Sequence, residues 1–194
     1  MSRCKFSDAR YEEIKKEVLF MFEESGIDTY PIDPFVIAKR LNYRIIPYST
    51  LTAEDYLAAV FTSNEGYSHV EQRSDGMFEY AIYYNDDGRV SGNIRWTIFH
   101  ELGHITLGHH DNAPGNEQNE EDEADFFAKY AIAPPPLINA TKCEDAFDIC
   151  MTFKASETAA NYIYEYFMKW KKYGPSNYLP YEKELLGLFH IAAI

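Results

Sequence analysis

The chain of 194 residues has few cysteines and no long apolar segment. Three cysteines are an odd number without the spacing of a disulfide framework, so we expect free thiols in a reducing compartment. The longest apolar run covers only Tyr56–Phe61, which is too short to cross a bilayer. The polar stretch 1–10 does not resemble a signal peptide. We therefore expect a cytoplasmic protein with no membrane partner.

Basic residues are also scarce. Eighteen Lys and Arg stand against 31 Asp and Glu, which gives a net charge of −13 and a pI near 4.8. A chain with this charge would repel the phosphates of DNA or RNA, so direct nucleic-acid binding is not expected. The acidity is concentrated in residues 111–125, which hold seven carboxylates and no Lys or Arg. Such a run is either a solvated surface or part of a cation site.

The composition is otherwise that of a folded protein, with 46% hydrophobic and 25% charged residues. These values exclude global disorder, and the length fits one domain, or one domain with an appendage. The triple proline at 134–136 is the best candidate for a boundary. We predict a domain over 1–136 and a helical C-terminal extension over 137–194.

Hydrophobic periodicity and capping residues predict the helices and strands. Ser7 can cap a first helix, and Asp33 followed by Pro34 can begin a second. The segment Ser74–Gly76 is typical of a hairpin turn. Helices are predicted over 7–25, 33–41, 94–108, 120–133, 144–153, 156–172 and 181–194, strands over 43–48, 58–62, 67–72 and 77–84, and a polar loop over 109–119.

The motif that indicates a chemistry is His100-Glu101-Leu102-Gly103-His104, an HExxH. On a helix, positions i and i+4 lie one turn apart on the same face, so both imidazoles can reach one metal ion. Zn²⁺ suits imidazole ligands, and it lowers the pKa of a bound water from about 15.7 to near 7. Glu101 lies next to this face and can take the proton of that water. The motif predicts zinc-dependent hydrolysis of an amide, and the alternative is a surface helix that carries two histidines.

A catalytic zinc needs a third protein ligand and an open position. Glu123, nineteen residues after the second histidine and on the next predicted helix, is the favoured third ligand. A helical carboxylate packed against the HExxH helix would complete a His₂Glu site. Three alternatives stay open, namely His110, which lies ten residues after the first histidine, Glu120 and Glu121.

Residues 95–104 and 123–134 together resemble the ImmA/IrrE family of metallopeptidases. The first segment, RWTIFHELGH, is similar to the family pattern R-x-T-x-A-H-E-L-G-H, and the second, EADFFAKYAIAP, is similar to E-A-N-x-F-A-x-x-L-L-M-P. The apolar strand that closes on Asn85 and the segment 31–48 also resemble family features. The resemblance extends over about residues 31–136.

The resemblance implies an α+β, zincin-like fold, in which a small twisted sheet packs on the HExxH helix and on a second helix that bears the glutamate ligand. It implies Zn²⁺ bound by His100, His104 and Glu123, with Glu101 as the general base. It also implies an endopeptidase of narrow specificity that cleaves helix-turn-helix repressors of prophages or mobile elements. Departures from the family pattern, such as Phe99, bear on substrate fit more than on zinc binding.

Tyrosines near the motif are candidates for contacts with a peptide. We expect Tyr80–Tyr84 to form an edge strand beside the metal, where an extended peptide would pair with it by β-augmentation, and an internal strand is the alternative. Tyr83 and Tyr84 are therefore the predicted substrate-binding residues. Tyr130 would either support the oxyanion at the attacked carbonyl or belong to the core.

A non-catalytic interaction protein is the alternative function. In that case the chain is an anti-repressor that sequesters a transcriptional repressor, and its zinc is structural or absent. A structural zinc usually has four protein ligands, which would distinguish it from a catalytic site. A further alternative is a general small peptidase without a regulatory partner.

Overall fold

Three strands and several packed helices make up the structure, a computed structural model that describes residues 6–111 and 117–192. The expected α+β class is confirmed. The helices are α1 (Asp8–Glu24), α2 (Pro34–Arg40), α3 (Ala53–Thr62), α4 (Ser91–Thr106), α5 (Glu117–Ile132), α6 (Pro135–Ala140), α7 (Ala146–Phe153), α8 (Glu157–Tyr173) and α9 (Pro180–Leu188). The strands are β1 (Arg44–Pro47), β2 (Gly66–Gln72) and β3 (Phe78–Tyr84), and 3₁₀ turns cover Tyr48–Thr50 and His109–Asp111.

The first helices begin where their capping residues predict. The Ser7 hydroxyl accepts a hydrogen bond from the backbone N–H of Arg10, and the Asp33 carboxylate accepts one from the N–H of Phe35. Each cap satisfies a backbone donor that has no partner inside the helix. A cap of the same kind begins α8, where the Ser156 hydroxyl accepts a hydrogen bond from the backbone N–H of the third helical residue. These helix starts agree with the sequence analysis.

The sheet has the strand order β1-β3-β2, with β3 parallel to β1 and antiparallel to β2. We expected Tyr80–Tyr84 to lie at an edge, and that expectation is wrong because β3 is the central strand. The hairpin predicted at Ser74–Gly76 does connect β2 to β3, and Gly76 has the positive φ that its turn requires. β2 is therefore the edge strand that lies against α4.

Residues 58–62 are helical, although they were predicted to form a strand. They are the second half of α3, which Thr52 caps by accepting a hydrogen bond from the backbone N–H of Asp55. The cap and the two acidic residues of the first turn favour a helix that the short apolar run did not reveal. At the other end of the chain, α9 stops at Leu188 and does not continue to residue 194 as predicted. Within the predicted polar loop, residues 112–116 lie outside the described residues.

One apolar cluster joins the helices to the sheet. Helix α4 contributes Ile98, Phe99 and Leu102, which are fully buried between α5 and the strands. The cluster also includes buried side chains from the C-terminal helices, namely Phe153, Ile163, Phe167, Leu185 and Leu186. The helices that follow the triple proline thus share a core with the preceding residues, and a domain boundary at that point stays a prediction. In the described part of the chain, every helix is too short or too polar to traverse a lipid bilayer.

Candidate metal centre

Helix α4 presents the two histidines of the motif side by side. The Nε2 atoms of His100 and His104 are 3.1 Å apart, and both side chains are largely shielded from solvent. This arrangement follows from the four-residue spacing, which places both rings one turn apart on one face. The face of α4 opposite the two histidines carries core residues, and these residues direct that opposite face towards the protein interior. The predicted pairing of the two imidazoles is confirmed.

Glu121 of α5 completes the group. Its Oε2 lies 3.2 Å from Nε2 of His100, and its Oε1 lies 3.4 Å from Nε2 of His104. One ligand atom from each of these three residues lies within 4.8 Å of the others, so the three residues are positioned to hold a metal ion. Hydrogen bonds to the two histidines hold the pKa of the Glu121 carboxyl well below its usual range, and the carboxylate is therefore ionised.

The close approach of α5 to α4 depends on Gly103, which lies between the two histidines. A Cβ atom built at this position would be 3.1 Å from Cβ of Phe127 and 3.2 Å from Cα of Ala124. These distances are shorter than ordinary van der Waals contacts, so a larger residue would press the two helices apart. The glycine of the motif thus brings the acidic first turns of α5 within reach of the histidines.

Glu123 does not belong to the three-residue group. It lies two positions after Glu121, which rotates it by roughly 200° about the helix axis to another face of α5. Its carboxylate accepts hydrogen bonds from Nε (2.7 Å) and Nη2 (2.5 Å) of Arg10 on α1. It also lies 3.2 Å from Nε2 of His109. The structure therefore groups Glu121, an alternative in the sequence analysis, with the two histidines, whereas the expected ligand Glu123 lies apart from them.

Hydrogen bonds and burial determine the pKa values of Glu123 and of its neighbour His109. Burial raises the pKa of Glu123, but the hydrogen bonds from Arg10 and His109 outweigh this effect and hold it below its ordinary value. Burial lowers the pKa of His109, which favours the neutral imidazole. The salt bridge between Arg10 and Glu123, with the imidazole of His109 donating to the same carboxylate, thus lies next to the three-residue group.

Asp125 is a site residue that the sequence analysis missed. It lies four positions after Glu121 on the same face of α5, and its Oδ1 is 3.1 Å from Nδ1 of His100. Burial opposes a charge on this imidazole, but the hydrogen bonds to Asp125 and Glu121 raise the pKa of His100 to about 10. The site therefore attracts positive charge, and a proton and a metal ion would compete for it. The signal in the sequence was the i, i+4 spacing of the two carboxylates.

Glu101 lies beside the three-residue group, facing β2. It is only 6% exposed, and its Oε2 accepts a hydrogen bond of 2.7 Å from the hydroxyl of Ser68. Burial raises the pKa of Glu101 above its ordinary value, although the nearby His100 opposes this rise. A carboxylate in this state exchanges protons more readily near neutral pH than an exposed one does.

His110 and Glu120, the other proposed third ligands, lie outside the three-residue group. Nε2 of His110 is 3.1 Å from the hydroxyl of Ser68, on the wall of the cleft formed by β2. Its ring also packs against Tyr80. Burial lowers the pKa of His110, so it presents a neutral imidazole to the cleft.

These residues line a cleft of about 530 Å³. One wall is formed by the end of α3 and the first residues of β2, and the other by α4 and α5. The described residues lining it include four carboxylates and no Lys or Arg, and the acidic members are Glu65, Glu101, Glu121 and Asp125. A volume of this size lies in the range of ligand-binding pockets, about 300–1,000 Å³.

The tyrosines proposed to contact a substrate lie elsewhere. Tyr83 donates a hydrogen bond of 2.6 Å to Glu71 and stacks on Tyr67, and Tyr84 packs edge-on against Phe35 of α2. Neither Tyr83 nor Tyr84 is among the described residues that line the cleft. Both sit on the central strand, which explains why they are not available to pair with a peptide.

Tyr130 is a core residue. It is 2% exposed, and within the described part of the chain its hydroxyl has no hydrogen-bond partner. Burial raises its pKa well above the ordinary value, so the phenol is neutral. It is not among the described lining residues of the cleft, and the proposed role at an oxyanion is therefore not supported by its position.

Comparison with models of known protein families gives no match, and comparison with curated proteins gives none either. The family resemblance of residues 95–104 and 123–134 therefore stays a prediction. The geometry of the site is what supports a function.

Proposed function

We propose that this chain is a zinc-dependent endopeptidase of narrow specificity with a zincin-like fold. The observation that supports this most directly is the convergence of His100, His104 and Glu121 beside the buried carboxyl of Glu101. Three ligands with a proton acceptor next to them are the parts that a hydrolytic metal site requires. The cleft around them is large enough to accept a peptide segment.

Two imidazoles and one carboxylate are a donor set that fits zinc. Catalytic zinc sites commonly use three protein ligands, including the His₂Glu set, and leave a fourth position open. A zinc ion bound here would supply Lewis acidity, which acidifies a water molecule and polarises a peptide carbonyl. Asp125 would accept a hydrogen bond from Nδ1 of His100, which leaves the Nε2 lone pair of that ring free to bind the ion.

Glu101 carries the proton in the proposed reaction. Ser68 donates a hydrogen bond to Oε2 of Glu101, and Oε1 is proposed to take a proton from the water as the water oxygen bonds to the scissile carbonyl carbon. The neutral carboxylic acid then gives this proton to the amine nitrogen as the carbon–nitrogen bond breaks. The Glu101 carboxylate is regenerated, and a carboxylic acid and an amine are released, between which the remaining water proton passes to give a carboxylate and an ammonium group.

The substrate is proposed to bind as an extended strand along β2. This strand is at the edge of the sheet, and its residues Gly66, Tyr67 and Ser68 line the cleft next to α4. The free backbone groups of an edge strand can form β-sheet hydrogen bonds with a peptide. This role replaces the one first expected for Tyr83 and Tyr84.

The resemblance to ImmA/IrrE proteins points to a helix-turn-helix repressor as the protein substrate. A cytoplasmic location for this reaction fits the free thiols of Cys143 and Cys150. No direct contact with nucleic acid is proposed, because the net charge of −13 opposes it.

The test compares wild type with Glu101→Gln, using a small helix-turn-helix repressor as the substrate and mass spectrometry to map fragments. We expect the variant to keep stoichiometric zinc by elemental analysis and to lose cleavage by about 10²–10⁴-fold, because loss of a general base has effects of this size. Glu54→Gln, on the exposed side of α3, is the matched control and should cleave like wild type. Equal rates for Glu101→Gln and wild type would contradict the proposed base. A wild-type protein that binds zinc and the repressor without cutting it would favour the anti-repressor function.

A further inference from the structure

We infer that His109, held by Glu123 and Arg10, is a positioning residue that fixes the tautomer of His104 and thereby sets the affinity of the site for its metal ion. This inference rests on the proposed metal site. It assigns a function to three residues that do not touch the ion, one of which the sequence analysis had expected to be a ligand.

A continuous line of hydrogen bonds connects His104 to α1. Nδ1 of His104 is 3.0 Å from Nδ1 of His109, and Nε2 of His109 is 3.2 Å from Oε2 of Glu123. Glu123 in turn accepts two hydrogen bonds from the guanidinium of Arg10. The ring of His109 is almost completely buried, with 4% of its side chain exposed, so water does not compete for these contacts.

The positions of the protons follow from what each group can donate. A carboxylate accepts hydrogen bonds, so in the 3.2 Å contact with Oε2 of Glu123 the Nε2 atom of His109 is the donor and carries a proton. In the 3.0 Å contact between the two Nδ1 atoms one ring donates and the other accepts, and a His104 ring that binds an ion through Nε2 is the donor, with Nδ1 of His109 as its acceptor. This leaves the lone pair of His104 on Nε2, the atom that faces His100 and Glu121. The ring is thus held in the tautomer that a metal ligand needs.

The two ligand histidines reach the same tautomer by different routes. His100 uses the carboxylate of Asp125 directly, and that carboxylate is about half exposed. His104 uses the imidazole of His109, with the carboxylate of Glu123 one residue further away and mostly buried. The second route is shielded from solvent and extends to a different helix.

Arg10 completes the arrangement from α1. Its fork-shaped guanidinium binds both oxygens of Glu123, which fixes the plane of the carboxylate and balances its charge. The carboxylate is then oriented to receive the Nε2 proton of His109. The packing of α1 against α5 therefore helps to orient the residues behind the proposed metal site.

The test measures zinc affinity by competition with a chromophoric chelator for wild type, His109→Leu, His109→Gln and Glu123→Gln. We expect His109→Leu to lose about 10–100-fold in affinity, the usual effect of removing an outer hydrogen-bond partner of a ligand. Gln can accept from His104 with its amide oxygen and donate to Glu123 with its amide nitrogen, so His109→Gln should recover most of the affinity. Glu123→Gln should lose less than His109→Leu.

Two further measurements separate positioning from folding. Visible absorption of the Co²⁺-substituted protein reports ligand geometry, and we expect it to change in His109→Leu and to return in His109→Gln. His190→Leu, which removes an exposed histidine paired with Asp28, is the matched control and should resemble wild type. Circular dichroism should show a folded protein for each variant.

The possible outcomes distinguish this inference from the proposed function. Tight zinc binding by wild type, with unchanged affinity and Co²⁺ spectrum in His109→Leu, would overturn the positioning role and leave the metallopeptidase proposal intact. Loss of affinity in both His109→Leu and His109→Gln would also overturn it. Gln restores a hydrogen-bond acceptor for His104, so the loss of that acceptor would not explain the lower affinity. A wild type that binds neither zinc nor Co²⁺ would overturn both proposals.

Discussion

Glu121 and Glu123 are only two positions apart on α5, yet their carboxylates have different partners. Glu121 faces the paired histidines, and Glu123 forms a salt bridge with Arg10. Exposure differs as well, because the side chain of Glu121 is 56% exposed and that of Glu123 is 13% exposed. The accessible carboxylate is the one that an incoming ion can reach.

The two glutamates should respond differently to substitution. We expect Glu121→Ala to lower zinc affinity by more than the 10–100-fold that loss of an outer partner usually causes, because a ligand itself is removed. Glu123→Gln should have a smaller effect, since His100, His104 and Glu121 all remain. Isothermal titration calorimetry with zinc would measure both, with Glu54→Ala as a control on the exposed side of α3. A larger loss in Glu123→Gln than in Glu121→Ala would contradict the proposed ligand set of His100, His104 and Glu121.

The sequence was informative about residues whose geometry is local. The spacing of His100 and His104 places them on one face of any α-helix, and Glu101 follows from the same periodicity. The third ligand could not be predicted in this way. Its identity depends on how α5 is rotated about its axis against α4, which is decided by contacts between residues distant in the chain.

At the scale of elements, the packing of α4 on α5 is the contact on which the metal centre depends. Gly103 is in the middle of this contact, opposite Ala124 and Phe127. Because the site takes two ligands from one helix and one from the other, the distance between the helices fixes the distance between the ligands. Stability and metal binding are therefore coupled at this glycine.

Substitution of Gly103 should affect both properties. We expect Gly103→Val to reduce the free energy of unfolding by about 1–3 kcal/mol through overpacking, and to weaken zinc binding by displacing Glu121. Urea denaturation and zinc titration would measure the two effects. Gly187→Ala is the control, because no atom lies within 4 Å of a Cβ built there and Ala should stabilise α9 by about 0.5–1 kcal/mol. Unchanged stability and zinc affinity in Gly103→Val would show that the helices are not closely packed there.

Strand order was the element-scale feature that the sequence did not reveal. The apolar alternation of residues 78–84 predicts a strand, and the turn at Ser74–Gly76 predicts its hairpin partner. Neither pattern indicates that β1, which is separated from this hairpin by α3, pairs with the other side of β3. Similarly, residues 58–62 are apolar enough for either a strand or a helix, and the cap at Thr52 decides the outcome.

For the whole molecule, the shared core connects the site to the C-terminal helices. The first turn of α4 contacts the segment between α7 and α8, where a Cβ built at Gly92 would be only 2.6 Å from the backbone nitrogen of Ser156. Further along, Phe153 and Phe167 are buried in the same cluster as Ile98. The residues after the triple proline therefore cover part of the core that supports the metal centre.

A chain that ends at Pro136 should not fold to the native structure. Removal of buried aromatic side chains such as Phe153 and Phe167 costs about 3–5 kcal/mol each, and a domain typically has only about 5–15 kcal/mol of stability. We expect the shortened chain to lack a cooperative thermal transition by circular dichroism. A chain that ends at Ala192, which keeps every described helix, is the control and should melt like the full chain. A cooperative transition in the shorter chain would show that residues 1–136 fold independently.

Most residues in the middle of α4 belong to the core or to the candidate metal site, and this limits how far the sequence of the helix can change. From residue 97 to residue 105, every side chain is either buried or part of the site, and none of these positions is exposed. Helix α3 is the opposite case, because only Ala59 is buried among its ten residues. Natural variation and directed evolution should therefore alter α3 freely up to its last residue, which lines the cleft, whereas substitutions in α4 would need compensating changes in α5 or in the strands.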